Sequence, residues 1–167
     1  AVMYEDPGIE KALLSTVHGY TASQGLVDGP SKNPERGRAA AQNIVITSTG
    51  AAEATAKAIP GLEGVFTGVA LRVPVPAGSV IDFTFVAKRE VTAKEINEIF
   101  IKASQEKRWQ GILEVTCEPL VSSDILKTSA AAIVDLNHTL VVGGNLVKVF
   151  AWYDNEWGYS AMLLREV

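Results

Sequence analysis

Residues 69–87 read VALRVPVPAGSVIDFTFVA, with apolar side chains at alternate positions in both halves of the stretch. In the first half the odd-numbered positions are all valine or leucine and share one face, which is the period of a half-buried strand. Pro74 cannot donate a backbone hydrogen bond, so the end of this strand is expected at an edge. The stretch therefore predicts two strands, over 69–75 and 79–87, that pair with each other in antiparallel fashion.

The remaining sequence predicts more strands than helices. A short alanine-rich helix is expected over 50–59, with Thr49 as its N-cap, and a second helix over 92–105, which opens with a capping box. A last helix should begin near Glu156. Further apolar runs predict strands at 11–18, 111–116, 131–136, 139–142 and 145–153. Because the strands run consecutively, the pattern favours an α+β fold with a mixed, largely antiparallel sheet and helices packed on one face.

The bulk properties exclude several classes of protein. The chain has 167 residues, enough for one domain over 1–167 that buries about 70% of the surface of its unfolded form. Its formal net charge of −4, with no run of basic residues, argues against a nucleic-acid binder that works by neutralising phosphates. No apolar stretch reaches the roughly 18 residues of a membrane span, and the sequence has no signal-peptide pattern. A single cysteine allows no intrachain disulfide, so we expect a cytoplasmic protein without membrane contact.

Three places in the sequence carry side chains suited to chemistry, and each has a plainer interpretation. His18, at the end of a predicted strand, can act as a general base and acid, or be a histidine hydrogen-bonded at a strand terminus. Thr49 and Gly50 open a helix whose free N–H groups can bind an anion, or Thr49 is simply the N-cap. Arg72 alternates away from the apolar face of its strand, where it can contact a phosphate or be an ordinary surface arginine.

The segment 21–38 is polar and rich in Gly, Pro, Ser and Asn, without periodicity, which predicts a long loop. Long loops in compact domains are often functional. Arg36 and Arg38 in this loop either neutralise a phosphate or keep the loop solvated.

Cys117 and the second histidine do not extend these sites. Cys117 follows a predicted strand and precedes Glu118, so we interpret it as a structural cysteine rather than a nucleophile. His18 and His138 are far apart in sequence, without clustered cysteines or paired carboxylates. We therefore expect no metal site.

Five motifs in this chain occur together in one known family. They are STVHGYT at 15–21, VDGP at 27–30, STGAA at 48–52, ALRVP at 70–74 and WYDNEWGY at 152–159. With them the chain closely resembles phosphorylating glyceraldehyde-3-phosphate dehydrogenase over nearly its whole length. The resemblance covers only the second half of such an enzyme, because no Gly-x-Gly-x-x-Gly turn follows a strand and no Ser-Cys-Thr-Thr-Asn segment precedes His18.

The resemblance implies roles for the histidine, threonine and arginine motifs. In the family, the histidine at the position of His18 activates the catalytic cysteine. The residues that correspond to Thr49 and Gly50 hold inorganic phosphate. Those that correspond to Arg72 and Thr21 contact the phosphate of the substrate itself.

Two further motifs are related to phosphate and cofactor binding. An arginine of the long loop, here Arg36, helps to bind phosphate in the family, although Ser23 in this loop stands where some members carry aspartate. The resemblance also implies that Asn155 hydrogen-bonds the nicotinamide carboxamide and that Tyr159 packs by the ring. The cofactor would be NAD or NADP, bound only when a nucleotide-binding domain completes the site.

The resemblance thus implies the catalytic domain of an enzyme that oxidises and phosphorylates glyceraldehyde 3-phosphate in glycolysis, with inorganic phosphate as the second substrate and a thioester as intermediate. Such a domain is expected to be a fragment, inactive in isolation. Family members form tetramers through the outer face of this sheet, so a homo-oligomer is expected. Two alternatives stay open: the sibling erythrose-4-phosphate dehydrogenase, and a stand-alone module for oligomerisation or phosphate binding without catalysis.

Overall fold

The computed structural model describes residues 1–165, in which the chain forms four α-helices and seven strands. The helices are α1 (Val2–Glu5), α2 (Ala51–Ala58), α3 (Ala93–Gln105) and α4 (Trp157–Arg165). The strands are β1 (Ile9–Gly19), β2 (Val45–Ser48), β3 (Phe66–Val73), β4 (Ser79–Ala87), β5 (Leu113–Thr116), β6 (Ala132–Val142) and β7 (Leu146–Tyr153).

These strands join one sheet in the order β2-β3-β1-β4-β7-β6-β5. β1 runs parallel to β3, and β5 runs parallel to β6. The other four neighbouring pairs are antiparallel. Helix α3 packs against β5 and β6, and α2 packs against β3. The predicted α+β class with a mixed, largely antiparallel sheet is therefore confirmed.

The predicted pairing of 69–75 with 79–87 is wrong, because β1 lies between β3 and β4. The connection between the two strands crosses the end of β1, where the Tyr20 N–H donates to the Val75 carbonyl at 3.0 Å. Gly19 permits this close crossing, since a Cβ at that position would lie 2.7 Å from the Val75 oxygen. Alternation shows which side chains share a face of the sheet, but in β3 it determines neither the neighbouring strand nor the face that the domain buries.

The helix starts follow local sequence signals. Thr92 precedes α3, and its hydroxyl accepts the Glu95 N–H at 3.2 Å while the Glu95 carboxylate accepts the Thr92 N–H at 2.8 Å, as the capping box predicts. Helix α2 departs from the prediction, because its N-cap is Gly50 rather than Thr49. The Gly50 carbonyl already accepts the first helical hydrogen bond, and the Thr49 hydroxyl instead accepts the Ala51 N–H at 3.2 Å.

Some strand boundaries also differ from the sequence pattern. The runs at 131–136 and 139–142 form the single strand β6, whose pairing with β7 changes register between Asp135 and Leu140. This irregularity interrupts the apolar pattern without ending the strand. The sequence does not predict α1 and β2, since each is four residues long and too short to show a period.

The two faces of the sheet differ in what covers them. The inner face packs against α3 through a core in which Phe85, Ile96 and Val147 are fully buried. On the outer face Leu13 is 62% exposed and Val69 is 43% exposed. The odd-numbered apolar residues of β3 thus lie on the open face, whereas Ala70 and Arg72 lie on the covered one.

The inner layer is incompletely filled. A cavity of about 540 Å³ remains between the sheet and the helices, and its walls are mainly apolar. Ile81 and Phe83 line it from β4, and Trp109 lines it from the turn after α3.

Candidate functional site

His18 and Arg72 lie side by side at the carboxyl ends of two parallel strands. They are register partners in the pairing of β1 with β3. Both side chains point to the covered face of the sheet, because His18 follows Leu14 and Thr16 at intervals of two residues and Arg72 follows Ala70 in the same way. The fold therefore brings together two of the residues that the sequence singles out, across 54 positions of chain.

A cavity of about 240 Å³ opens beside this pair. Thr49 joins it from the start of α2, and Tyr153 joins it from the end of β7. The full set of lining residues is Leu14, Thr16, His18, Thr49, Ala51, Ala70, Arg72, Ile81 and Tyr153. None of these residues, all within the described part of the chain, is acidic. The cavity thus combines a histidine, a guanidinium and a helix start, which suits an anion.

His18 is half-buried and held by polar contacts on one side of its ring. Its Nδ1 lies 2.6 Å from the Gly19 carbonyl oxygen and 2.7 Å from Nη1 of Arg72. Burial is the main influence and lowers the pKa of His18, and the Arg72 charge acts in the same direction. The Gly19 carbonyl and the more distant Glu156 carboxylate oppose this shift. The ring therefore favours its neutral form, in which a histidine can accept a proton.

A second arginine strengthens the positive charge near the cavity. Arg36 comes from the long loop, where it lies in the 3-10 turn Pro34–Gly37, and its Nε donates to the Thr47 hydroxyl at 3.0 Å. Burial and the nearby charge of Arg36 lower the pKa of Arg72. A guanidinium stays protonated despite such shifts. Two cations close enough to repel each other provide an attractive place for an anion.

The start of α2 adds backbone donors to this positive region. The first N–H groups of a helix have no partner within the helix, and the positive end of its dipole lies there. Thr49 and Ala51 both line the cavity and flank Gly50. A Cβ at Gly50 would meet nothing within 4 Å, so the space around this residue is open to a ligand.

Three of the predicted phosphate-binding residues, Thr21, Arg36 and Gly50, lie outside the lining of this cavity, although Gly50 stands between Thr49 and Ala51, which line it. Thr21 follows β1 by two positions, and its hydroxyl lies 2.9 Å from the Ser23 hydroxyl. Arg36 donates a hydrogen bond to Thr47 and does not line the cavity. It influences the cavity through the repulsion between its charge and that of Arg72. Of the predicted set, the cavity itself gathers His18, Thr49 and Arg72.

The predicted cofactor residues border a second cavity of about 260 Å³. Asn155 accepts a hydrogen bond from the Ser79 hydroxyl at 3.1 Å, and its amide nitrogen donates to the Glu156 carboxylate. Tyr159 is exposed on the first turn of α4. Asp154 holds this segment, because one of its carboxylate oxygens accepts the N–H groups of Glu156 and Trp157 at 3.0 and 2.7 Å. Part of the aromatic motif is therefore a helix cap.

Tyr153 lines both cavities, and the sequence reasoning assigns it no role. Its hydroxyl lies 2.6 Å from the Thr16 hydroxyl, and its ring meets the His18 ring edge-on, with 6.0 Å between the centroids. Thr16 is buried and is likewise missed. The spacing of Thr16 and His18 by two residues on one strand is the signal that places Thr16 on the same face.

Cys117 lies away from both cavities, and the described residues contain neither a metal-binding cluster nor a membrane-spanning helix. Cys117 follows the end of β5, is exposed, and lines neither of the two cavities. Across residues 1–165 no group of three His, Cys, Asp or Glu side chains is placed to hold a metal ion. Within residues 1–165 no helix has the length and apolar character needed to cross a bilayer.

An α+β domain with this cavity can bind an anion and move a proton beside it. Residues 1–155 match the family described as glyceraldehyde 3-phosphate dehydrogenase, C-terminal domain, and the chain belongs to this family. It is 48% identical to glyceraldehyde-3-phosphate dehydrogenase of Streptomyces coelicolor over 163 residues, which are 98% of this chain and 48% of that protein.

Relatives from two other organisms match at similar identity. Glyceraldehyde-3-phosphate dehydrogenase of Borreliella burgdorferi is 45% identical over 98% of this chain and 49% of its own length. That of Haloarcula vallismortis is 47% identical over 98% of this chain and 48% of its own length. The chain thus spans about half the length of the curated relatives that it matches.

Proposed function

We propose that residues 1–167 are the catalytic domain of a glyceraldehyde-3-phosphate dehydrogenase that acts in glycolysis in the cytoplasm. The domain binds glyceraldehyde 3-phosphate and inorganic phosphate. The observation that carries this proposal is the cavity in which His18, Arg72 and Thr49 converge, beside a second arginine. Family membership supports the reaction class.

His18 is the proton-transfer residue of this proposal. Its neutral ring takes the proton of a thiol that comes from the part of the protein outside the chain described here. The imidazolium that results later returns a proton to the substrate oxygen. Burial of the ring and its edge contact with Tyr153 support this role, because both restrain the ring beside the cavity.

Two anion positions fit the residues around the cavity. Arg72 and Thr21 bind the phosphate of glyceraldehyde 3-phosphate, whereas Thr49, Gly50 and Arg36 bind inorganic phosphate. The two guanidinium groups and the start of α2 support both positions, since charge-assisted hydrogen bonds to phosphate are the strong ones.

The second cavity fits a nicotinamide ring. Asn155 offers an amide that can pair with the carboxamide, and Tyr159 offers an exposed ring for packing. NAD or NADP supplies, when bound, the acceptor for the hydride of the substrate. Tyr153 borders both cavities, so it would keep the two ligands next to each other.

The domain is inactive by itself in this proposal and works as part of a homo-oligomer. The open outer face of the sheet exposes large apolar side chains, and it supports association with further copies of the chain.

The test is a chimera in which this chain replaces the matching half of the Streptomyces coelicolor relative. We expect NADH formation that depends on glyceraldehyde 3-phosphate and phosphate, and a loss of about 10²–10⁴-fold in kcat/KM for His18→Asn. An assay with erythrose 4-phosphate as substrate distinguishes the alternative activity, that of erythrose-4-phosphate dehydrogenase, from the proposed one. A folded chimera that turns over neither substrate, or whose rate is unchanged by His18→Asn, contradicts the proposal.

A further inference from the structure

The side-chain amide of Asn155 is hydrogen-bonded at both of its ends. Its Nδ2 donates to the Glu156 carboxylate, and its Oδ1 accepts a hydrogen bond from the Ser79 hydroxyl at 3.1 Å. An ionised carboxylate has no hydrogen to donate, so the amide atom that faces Glu156 has to be the nitrogen. The oxygen then faces Ser79, and the hydroxyl has to be the donor. These two partners together select one of the two orientations that the amide can take.

The backbone around Asn155 is fixed by the residue before it. One oxygen of the buried Asp154 carboxylate accepts the N–H groups of Glu156 and Trp157 at 3.0 and 2.7 Å. The other oxygen accepts the Lys127 N–H at 2.9 Å, which ties this segment to the loop between β5 and β6. The orientation of the Asn155 amide therefore depends on its own side-chain torsions and on the groups that its two ends meet.

Ser79 is held firmly in the sheet. It is the first residue of β4, it is 2% exposed, and it is the register partner of Tyr153 in β7. Gly78 before it packs directly against the loop between β5 and β6, because a Cβ at that position would collide with the Ser122 carbonyl oxygen. A buried hydroxyl requires a hydrogen-bond partner, and Asn155 provides one. The donor that orients the amide is thus part of the rigid sheet.

The orientation of this amide affects what the neighbouring cavity can bind. Asn155 lines the cavity of about 260 Å³ that the proposed function assigns to nicotinamide, whereas Ser79 does not. A primary amide has two N–H groups and two lone pairs on its oxygen, and the bonds to Glu156 and Ser79 use one of each. One donor and one acceptor remain, in a fixed order. Because the nicotinamide carboxamide is also a primary amide, a half-turn of Asn155 would place donor against donor and acceptor against acceptor.

We propose that Ser79 is a positioning residue for the cofactor, whose buried hydroxyl holds the Asn155 amide, together with the Glu156 carboxylate, in the one orientation that receives the nicotinamide carboxamide. This inference rests on the cofactor site of the proposed function and extends it to a residue that does not touch the ligand. Both hydrogen bonds form within this chain alone. The amide is therefore ordered before the cofactor binds, and its ordering does not reduce the affinity.

NMR of the side-chain amide tests the orientation on the chain itself. In the wild type we expect nuclear Overhauser contacts from the Asn155 Nδ2 hydrogens mainly to the Glu156 side chain. Ser79→Ala removes a single oxygen atom, and contacts to the methyl group introduced at position 79 should then appear, because the amide can turn. Wild-type contacts mainly to Ser79, or a pattern that the variant leaves unchanged, overturn the inference. The wild-type pattern decides the orientation if the variant does not fold.

Thr139 offers a matched control for the effect on the cofactor. Its buried hydroxyl also donates to the Oδ1 atom of an asparagine, that of Asn97, at 2.6 Å. This pair joins β6 to α3 and lines neither the 240 Å³ nor the 260 Å³ cavity. In the chimera described above, Ser79→Ala should raise the KM for NAD by about 2–10-fold, as expected for one neutral hydrogen bond, and leave kcat within about twofold. Thr139→Val should leave both constants unchanged.

The outcomes distinguish a failure of this inference from a failure of the proposed function. A KM for NAD that Ser79→Ala leaves unchanged, or that Thr139→Val raises equally, overturns the inference, because Ser79 then only stabilises the fold. A folded chimera that turns over no substrate contradicts the proposed function. The amide contacts measured on the chain still decide in that case whether Ser79 orients Asn155.

Discussion

His18 connects the protonation of the site to the stability of the fold. Burial lowers its pKa in the folded chain, so between that value and the unfolded value of about 6.5 the unfolded state binds more protons. The contribution of His18 is therefore fully present above pH ~6.5 and is lost as the pH falls through the folded pKa. We expect His18→Gln to reduce the fall in urea midpoint between neutral and mildly acidic pH. Parallel pH profiles for the two proteins would contradict this expectation.

The hydroxyls of Thr16 and Tyr153 form a hydrogen bond next to the His18 ring. Tyr153→Phe removes the partner of a buried hydroxyl, which costs about 1–3 kcal/mol of unfolding free energy. Thr16→Val in the Tyr153→Phe background should cost much less than Thr16→Val alone, because no polar group then remains unpaired. Urea unfolding of the four proteins gives the coupling energy, and a value near zero would show that the two hydroxyls do not stabilise each other.

At the scale of single elements, α3 depends on its capping box. Thr92→Ala removes the acceptor for the Glu95 N–H and should lower the unfolding free energy by about 0.5–2 kcal/mol. Lys94→Ala is the matched control, since its ammonium forms only an exposed pair with Glu98 at 3.7 Å, and such pairs contribute less than about 1 kcal/mol. Equal effects of the two changes would mean that the box does not stabilise α3.

Elements whose signal lies in consecutive residues could be predicted from the sequence. The pairing of strands with segments far away in the chain could not. The capping box lies within four consecutive residues and predicts the start of α3 correctly. The alternation in 69–87 predicts two strands, but it contains no information about β1, which pairs with both through contacts far away in the chain. The short strand β2 likewise exists through its pairing with β3.

The same distinction applies to the site. His18, Thr49 and Arg72 each have a local signal, namely a strand end, a helix start and an alternating polar position, and the cavity contains all three. Tyr153 stands inside a conspicuous motif, yet its position beside His18 follows only from the sheet order, which places β7 two strands away from β1. Its role is therefore visible only once the strands are assembled.

At the scale of the whole molecule, the open face of the sheet determines how the chain behaves at high concentration. Leu13, Ile46 and Val69 expose much of their side chains there, on three adjacent strands. Phe150 also lies toward this face, as its alternation with the buried Val149 shows, whereas Ile81 points inward to the cavities. A contiguous apolar surface of this kind is typical of an interface between subunits.

We therefore expect the chain to self-associate, and the double variant Leu13→Lys with Val69→Lys to be monomeric at the same concentration. Two ammonium groups on neighbouring strands would have to be buried in the contact, which is unfavourable without carboxylate partners. Gln105→Lys, at an exposed position at the end of α3, adds the same kind of charge away from the sheet face and should leave association unchanged. Sedimentation velocity over a range of concentrations distinguishes these outcomes, with far-ultraviolet circular dichroism to establish that each variant is folded. A wild-type chain that stays monomeric throughout, or a control that dissociates as readily as the double variant, would mean that the outer face does not mediate association.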